Sequence, residues 1–555
     1  MQKIIKYILR LIFIPTELAL LFLFGMLLYI MLHATVDEPK ATPKKIGKRE
    51  KIDENYYVLG NNYLKKNDFG IWEMYIEGDP YERGLIYGEL AKELNHHQEK
   101  VFVDQINEFV PKGFFQSFLN IMVGFFSNTI PDYIPLENQL EIYGISKTFS
   151  DEFDYVAPKY TRILSYHAAH DMGHALNDYS VVGCTSFALK GEKTANSNLI
   201  LGRNFDFYVG DEFAKEKILL FVRPSKGYKF ASYSWAGFTG VVSGMNDQGL
   251  TVTINASKSD LPTATKMPIS LLAREILQYA KNIKEAVAIA KKRETFVSET
   301  LMIGSANDGK TVLIEKSPKK VGVYEMQGDD LICSNHYQST TFRNDPVNIE
   351  NIENSDSKYR YDRVRELIDK HTNKFTPFDV ASILRNQKAA NGDTLGMGNP
   401  RAINQLLAHH SVVMLPTERL FYISTNDFQL GTFMGYDLTK TFKIKDGFIA
   451  DTIAADPFLY SNNYQEFLAF KKTKQAINQF LMFDKPLTLS ESDIKTFIAS
   501  NGESYVTYEM LGNYFRKKGD KTNAIFNFKK ALSKRTDSKN TSKALEELIK
   551  KEAGK

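Results

Sequence analysis

Cysteine is nearly absent. The 555-residue chain has two, Cys184 and Cys333, which argues against a disulfide framework and leaves the redox compartment open. A surplus of charge is also lacking. Seventy Lys and Arg stand against 66 Asp and Glu, a net of +4. That imbalance is too small to point to nucleic acid, and no basic patch is interleaved with aromatics. Metal-binding spacing is thin as well. His167-x-x-His170-x-x-x-His174 would put three imidazoles on one helical face. A polar helix face is the reading expected there, with no metal and no cofactor.

Long apolar runs are scarce with one exception. Leu11 to Leu32 is apolar apart from Pro15, Thr16, Glu17 and a few mild residues, and Lys3, Lys6 and Arg10 precede it. Twenty-two residues rising 1.5 Å each reach roughly 33 Å, enough to cross a bilayer core. A cleaved signal peptide is the competing reading. The run is long for one, and His33-Ala34-Thr35 is a poor cleavage site. A signal anchor at 1–34 is therefore expected, followed by a basic, proline-containing stalk at 35–55. Lys40, Lys44, Lys45, Lys48 and Arg49 lie beyond the run, so flanking charge does not fix orientation. The long remainder is expected outside the cytoplasm, on the periplasmic or outer face.

The stretch richest in chemistry is Gly183-Cys184-Thr185-Ser186-Phe187, followed by Arg203-Asn204-Phe205-Asp206. A cation beside a thiol favours its thiolate. If the Gly183–Cys184 bond is cut, Cys184 gains a free amine with a reference pKa of about 7.7–8.0, suited to a general base. Asp206 would hold that amine and Arg203 would flank the sulfur. Paired strands bring such residues within roughly 5 Å.

This pattern resembles the N-terminal-nucleophile (Ntn) hydrolases, in particular the branch of acyl-CoA:6-aminopenicillanate acyltransferase (peptidase C45) and the choloylglycine hydrolases. Further segments carry the resemblance in order. Asn246-Asp247-Gln248-Gly249-Leu250 leads to Asn255; Cys333-Ser334-Asn335-His336 supplies Asn335; Ser357-Lys358-Tyr359-Arg360-Tyr361-Asp362-Arg363 supplies Arg360; and Gly78-Asp79-Pro80-Tyr81-Glu82-Arg83-Gly84-x-x-x-Gly88 stands upstream. The resemblance covers roughly residues 70 to 435. It implies a four-layer αββα fold, self-cleavage between Gly183 and Cys184, and a site of Cys184, Arg203, Asp206, Asn255, Asn335 and Arg360, with the two asparagines at an oxyanion. Taken singly, each residue has a structural reading: Cys184 a buried strand cysteine, the asparagines turn residues, Arg360 a solvated helix face. Cys333 is expected to be structural. His336 is expected only to line the pocket, although a Cys184–His336 dyad is the fallback if the chain stays uncut.

The remaining pattern is α+β. Residues 56–183 form an N-terminal segment of the catalytic unit, with helix expected from Gly84 onward and at Phe109 to Phe126. Residues 184–455 alternate strand-like runs, among them Phe230 to Trp235, Gly240 to Ser243 and Leu250 to Asn255, with a helix pair at Pro268 to Lys292. Residues 456–555 are helical. Tyr508, Leu511, Gly512, Phe515, Ala524, Phe528 and Ala531 fall at tetratricopeptide (TPR) spacing over 505–538, without a second copy or the terminal proline. One such unit must pack on the catalytic unit, on the helices Tyr464 to Phe483, or on a partner. The expected activity is hydrolysis of a small-molecule linear amide through a thioester on Cys184, with lipid-like amides made more attractive by the anchor. The alternatives are an acyltransferase with an amine acceptor and a membrane-anchored interaction protein with a silent site.

Overall fold

The computed structural model describes residues 24–25, 28–29, 36–109, 124, 127–168, 171, 183–260 and 265–554. The anchor at 1–34 and the helix expected to Phe126 fall almost wholly outside the described residues, as do His170 and His174. Among the described residues no helix is long and apolar enough to cross a membrane.

Two sheets organise the chain. One has eleven strands, in the order Glu50–Asp53, Tyr56–Leu59, Asn62–Lys66, Trp72–Gly78, Lys217–Pro224, Phe230–Trp235, Ser243–Asn246, Leu250–Ala256, Glu299–Ser305, Lys310–Lys316 and Val321–Glu325. Among the described residues, only Trp72–Gly78 and Lys217–Pro224 pair in parallel in it. The other has seven: Asp330–Cys333, Thr185–Leu189, Ile200–Phe205, His410–Leu415, Leu420–Ser424, Phe433–Asp437 and Ile449–Ile453.

Alternation along the strands builds the layers. Leu250, Val252 and Ile254 join Leu271, Leu272 and Ile276 in a core on the outer face of the larger sheet. Leu219 and Phe221 meet Val412 and Met414 between the sheets. Phe187, Leu189 and Ile200 meet Val364, Ile368 and Val380 on the outer face of the smaller one. The order through the molecule is helix, sheet, sheet, helix. A one-residue slip would swap every face. Asn246 guards against it: its Oδ1 accepts the Gln248 and Leu250 N–H groups, and Gly249 takes the left-handed φ of +74° that closes the turn. Asn255 is thereby aimed between the sheets.

Two glycines singled out in the sequence permit a helix crossing. A Cβ on Gly84 would collide with the Glu141 carbonyl, and one on Gly88 would lie 2.5 Å from Thr148 Oγ1, so Pro80–Leu90 packs directly on Leu136–Ser146. One strand expectation is displaced. Gly240 to Ser243 was expected as a strand, yet the strand runs Ser243–Asn246. Val241 N–H bonds instead to the Ser270 carbonyl and Arg274 to the Thr239 carbonyl, so the helix Ile269–Tyr279 draws that stretch away. Within 35–55, Glu50–Asp53 is a paired strand and Arg49 makes a bidentate pair with Glu93 at 2.7 and 2.6 Å.

Five helices close the chain: Asn462–Phe483, Glu491–Asn501, Tyr505–Lys517, Lys521–Leu532 and Lys539–Glu552. Gly519, at φ +80°, turns Tyr505–Lys517 into Lys521–Leu532, and Asp520 caps the latter through Asn523 N–H. Leu511, Met510 and Tyr514 pack with Phe467, Phe470 and Ile477. The apolar face of the hairpin is thus covered by the helix Asn462–Phe483 of the same chain.

Candidate active site

Cys184 lies at the entry to Thr185–Leu189, wholly buried. Ser186 pairs with Arg203 and Thr185 with Asn204 on the adjacent strand, so Arg203 shares the inner face. Its Nη2 is 3.5 Å from Cys184 Sγ and donates to the Ile254 carbonyl at 2.5 Å, and its Nη1 donates to Ser243 Oγ at 2.8 Å. The cation is stapled across the gap between the sheets. Burial pushes the Cys184 thiol up to about 11; Arg203 opposes this and burial wins. With Gly183–Cys184 intact, the thiol is neutral at pH 7.

Asp206 is also fully buried. Burial raises its carboxyl to about 7 against the pull of Arg360 and Arg203. Oδ2 accepts from Gln405 Nε2 at 3.2 Å, while Oδ1 has no partner among the described residues. That orphaned oxygen is a ready acceptor for an amine.

Asn255 comes from the opposite sheet. Its Oδ1 accepts from Ser186 Oγ at 2.8 Å, and its Nδ2 donates to the Ser334 carbonyl at 3.2 Å and, at the longer 3.5 Å, to the Cys333 carbonyl. Asn335, just past Asp330–Cys333, donates Nδ2 to the Ala256 carbonyl at 2.9 Å and accepts from Arg360 Nη2 on Oδ1 at 2.7 Å. Each amide nitrogen carries a second N–H. Arg360 projects from the buried side of helix Ser357–Lys370. Its Nη1 donates to the Cys184 carbonyl at 2.7 Å and to Thr185 Oγ1 at 2.9 Å, and its Nη2 pairs with Asp356 at 3.2 Å. All six predicted site residues are brought together, and Arg360 is buried instead of solvated.

The histidines do other work. His167 Nε2 accepts the Thr239 N–H at 3.0 Å, Nδ1 faces the Ile163 carbonyl, and burial lowers its pKa to about 4. His336 Nδ1 lies 2.8 Å from Ser357 Oγ, its ring 5.6 Å from that of Tyr361, and its pKa is likewise lowered to about 4 by burial. It faces the helix.

Sequence reasoning missed three features. Gln405, from the loop before His410–Leu415, touches both Gly183 and Asp206. His409 and His410 continue the Arg203–Ser243 chain, with Ser243 Oγ 2.9 Å from His410 Nε2 and the two Nδ1 atoms 2.8 Å apart. A small, partly open cleft is walled by Phe102, Phe207, Phe213, Trp235 and Phe238. Phe207 adjoins Asp206 in sequence and stacks 5.5 Å from Phe205, over which the Arg203 guanidinium lies at 4.2 Å. Asn95 also lines this cleft, 1% exposed, with neither amide atom hydrogen-bonded among the described residues. The aromatic content of 207–238 was the available signal, read there as strand composition.

Comparisons with known proteins bear on this geometry. Residues 192–391 match the family model described as acyl-coenzyme A:6-aminopenicillanic acid acyl-transferase. An uncharacterized protein of Archaeoglobus fulgidus is 27% identical over 282 residues, 48% of this chain and 45% of that one. Protein dcd1B of Dictyostelium discoideum is 25% identical over 283 residues, 45% of this chain and 51% of that one. The chain spans about half the length of these relatives. Among solved structures, the Caenorhabditis elegans ortholog of N-acylethanolamine-hydrolyzing acid amidase aligns at 17% identity, covering 42% of this chain and 93% of that one, with a TM-score of 0.31. A mutant conjugated bile acid hydrolase from Clostridium perfringens aligns at 14%, covering 46% and 93%, also at 0.31. Across residues 192–391, which hold Arg203, Asp206, Asn255, Asn335 and Arg360, this chain is similar to the acyl-coenzyme A:6-aminopenicillanic acid acyl-transferase family.

Proposed function

We propose that the protein is a self-cleaving cysteine amidohydrolase whose nucleophile is Cys184. The observation that supports this most is the closure of Arg203, Asp206, Asn255, Asn335 and Arg360 around one buried cysteine that follows a glycine. In maturation, Cys184 Sγ attacks the Gly183 carbonyl carbon, the C–N bond breaks, and a thioester forms as the Cys184 nitrogen takes a proton. Water then hydrolyses the thioester, leaving a Gly183 carboxylate and a free Cys184 amine beside Asp206.

In turnover, that amine accepts the thiol proton, and the thiolate attacks the substrate amide carbonyl. The second N–H groups of Asn255 and Asn335 stabilise the oxyanion; a donor of this kind is worth about 3 kcal/mol. The amine product leaves with the proton, and water releases the acid from the thioester. The aromatic rings that follow Asp206 in the chain, Phe207 against Trp235 and Phe213, favour an apolar acyl group. Anchoring through 1–34 with the site outside the cytoplasm belongs to the same proposal.

The name of the matched family favours one second reading, transfer of the acyl group to an amine. Product analysis of a purified preparation on an N-acyl amine, with and without a competing amine, separates them. Acid alone supports hydrolysis; a new amide supports transfer. Cys184→Ala must abolish both, and retained turnover in that variant overturns the assignment.

A further inference from the structure

Gln405 is buried at 4% exposure, and its Nε2 donates to the Gly183 carbonyl oxygen at 2.7 Å. That oxygen becomes the oxyanion when Cys184 Sγ attacks the Gly183 carbonyl. We propose that Gln405 is the oxyanion donor for self-cleavage, separate from Asn255 and Asn335, which serve turnover. The inference rests on the self-cleavage reading above and adds a residue to it.

Three further observations carry it. The scissile unit is held on both sides: Gly183 N–H donates to the Asp206 carbonyl at 3.1 Å, and Arg360 holds the next carbonyl, that of Cys184, at 2.7 Å. Only the Gly183 carbonyl is left to Gln405. The approach is close: a Cβ on Gly183 would lie 2.7 Å from Gln405 Nε2 and would push that amide aside. The loop is also built to aim the amide. Leu406, the next residue, is a buried leucine at φ +50°, a conformation that costs energy and persists where surrounding contacts enforce it. Leu406 N–H bonds to Asn404 Oδ1, and its side chain packs with Phe428 and Phe467.

The same loop is tied to the C-terminal helices. Met397 N–H bonds to Asn501 Oδ1, and Asn399 Nδ2 to the Arg535 carbonyl. Those helices therefore act as a buttress that fixes Gln405. A donor at 2.7 Å to the oxygen that gains charge stabilises the tetrahedral state with little reorganisation, and loss of one such donor typically slows a reaction about 100-fold or more. Once Gly183 is released, Gln405 keeps its bond to Asp206 and becomes a positioning residue.

The test is cell-free synthesis of the full chain, with intact mass followed over time for wild type, Gln405→Met and Gln405→Glu. Met keeps the length without a donor; Glu keeps the shape and removes the N–H. Wild type is expected to yield a chain beginning at Cys184, and both variants to do so about 100-fold more slowly. Thermal unfolding beside uncut Cys184→Ala reports folding, and the Glu variant serves if Met fails to fold. Wild-type cleavage matched in rate by a folded variant overturns the role of Gln405 and leaves the function standing. A wild-type chain that never cleaves overturns both.

Discussion

Arg203 Nη2 lies 3.5 Å from Cys184 Sγ, yet burial holds the thiol at about 11. A cation is in place and does not suffice while the peptide before the cysteine is intact. Cutting that peptide, as proposed, would add an ionisable amine beside the thiol. Alkylation is therefore expected to be slow at pH 7 in an uncut variant and at least 10-fold faster in mature protein. Iodoacetamide labelling of Cys184, read by peptide mass, checks this; equal rates would mean that cleavage does not activate the thiol.

Arg360 ties four groups together: the Cys184 carbonyl, Thr185 Oγ1, Asn335 Oδ1 and Asp356. Arg360→Ala leaves buried acceptors unpaired, at a cost of about 3 kcal/mol in stability. Arg360→Lys keeps the charge without the fork. The Lys variant is expected to fold and to lose 10-fold or more in turnover. Chemical denaturation and steady-state kinetics on both variants read the two effects separately.

Asp206 gives a stability signature. Its folded carboxyl titrates near 7, above the ordinary value near 3.8. Between those values the folded chain binds the proton more tightly, so its contribution is full below pH 4, falls as pH rises to 7, and is flat above. The slope is roughly 1.4 kcal/mol per pH unit in that window. In the uncut Cys184→Ala background, Asp206→Asn should remove this slope. Its Tm should gain on the parent between pH 5 and pH 8; a constant difference would contradict the assignment.

Ser186 Oγ donates to Asn255 Oδ1 at 2.8 Å, and so sets which edge of the amide offers N–H. Ser186→Ala is expected to lower kcat about 10-fold with KM nearly unchanged, because the lost orientation matters most at the oxyanion. Ser186→Thr should recover part of the rate. A change in KM alone would assign Ser186 to packing.

Much of the frame was legible because strand alternation and helix spacing are local. Phe230–Trp235 and Leu250–Ala256 run where strand-like composition put them, and the pair Ile269–Tyr279 and Ile283–Lys292 follows its 3.6-residue spacing. The proposed site residues stood out in the sequence as chemistry at fixed positions: a cysteine after a glycine, Arg203 on the next strand and Asp206 just past its end. Gln405 did not, since it lies in a loop with no periodicity and acts through a backbone carbonyl 222 positions away. The pairing of Ser243 with His410 was equally silent, because it depends on how the two sheets meet. Gly240 to Ser243 failed for the opposite reason: β-like composition yielded to hydrogen bonds from a neighbouring helix.

The central claim is that Cys184 becomes an N-terminal nucleophile. Intact mass and N-terminal sequencing of the purified protein test it most directly. A chain that begins Cys-Thr-Ser-Phe is expected from wild type and not from Cys184→Ala. A single chain running unbroken through Gly183–Cys184 in active wild-type protein would contradict it.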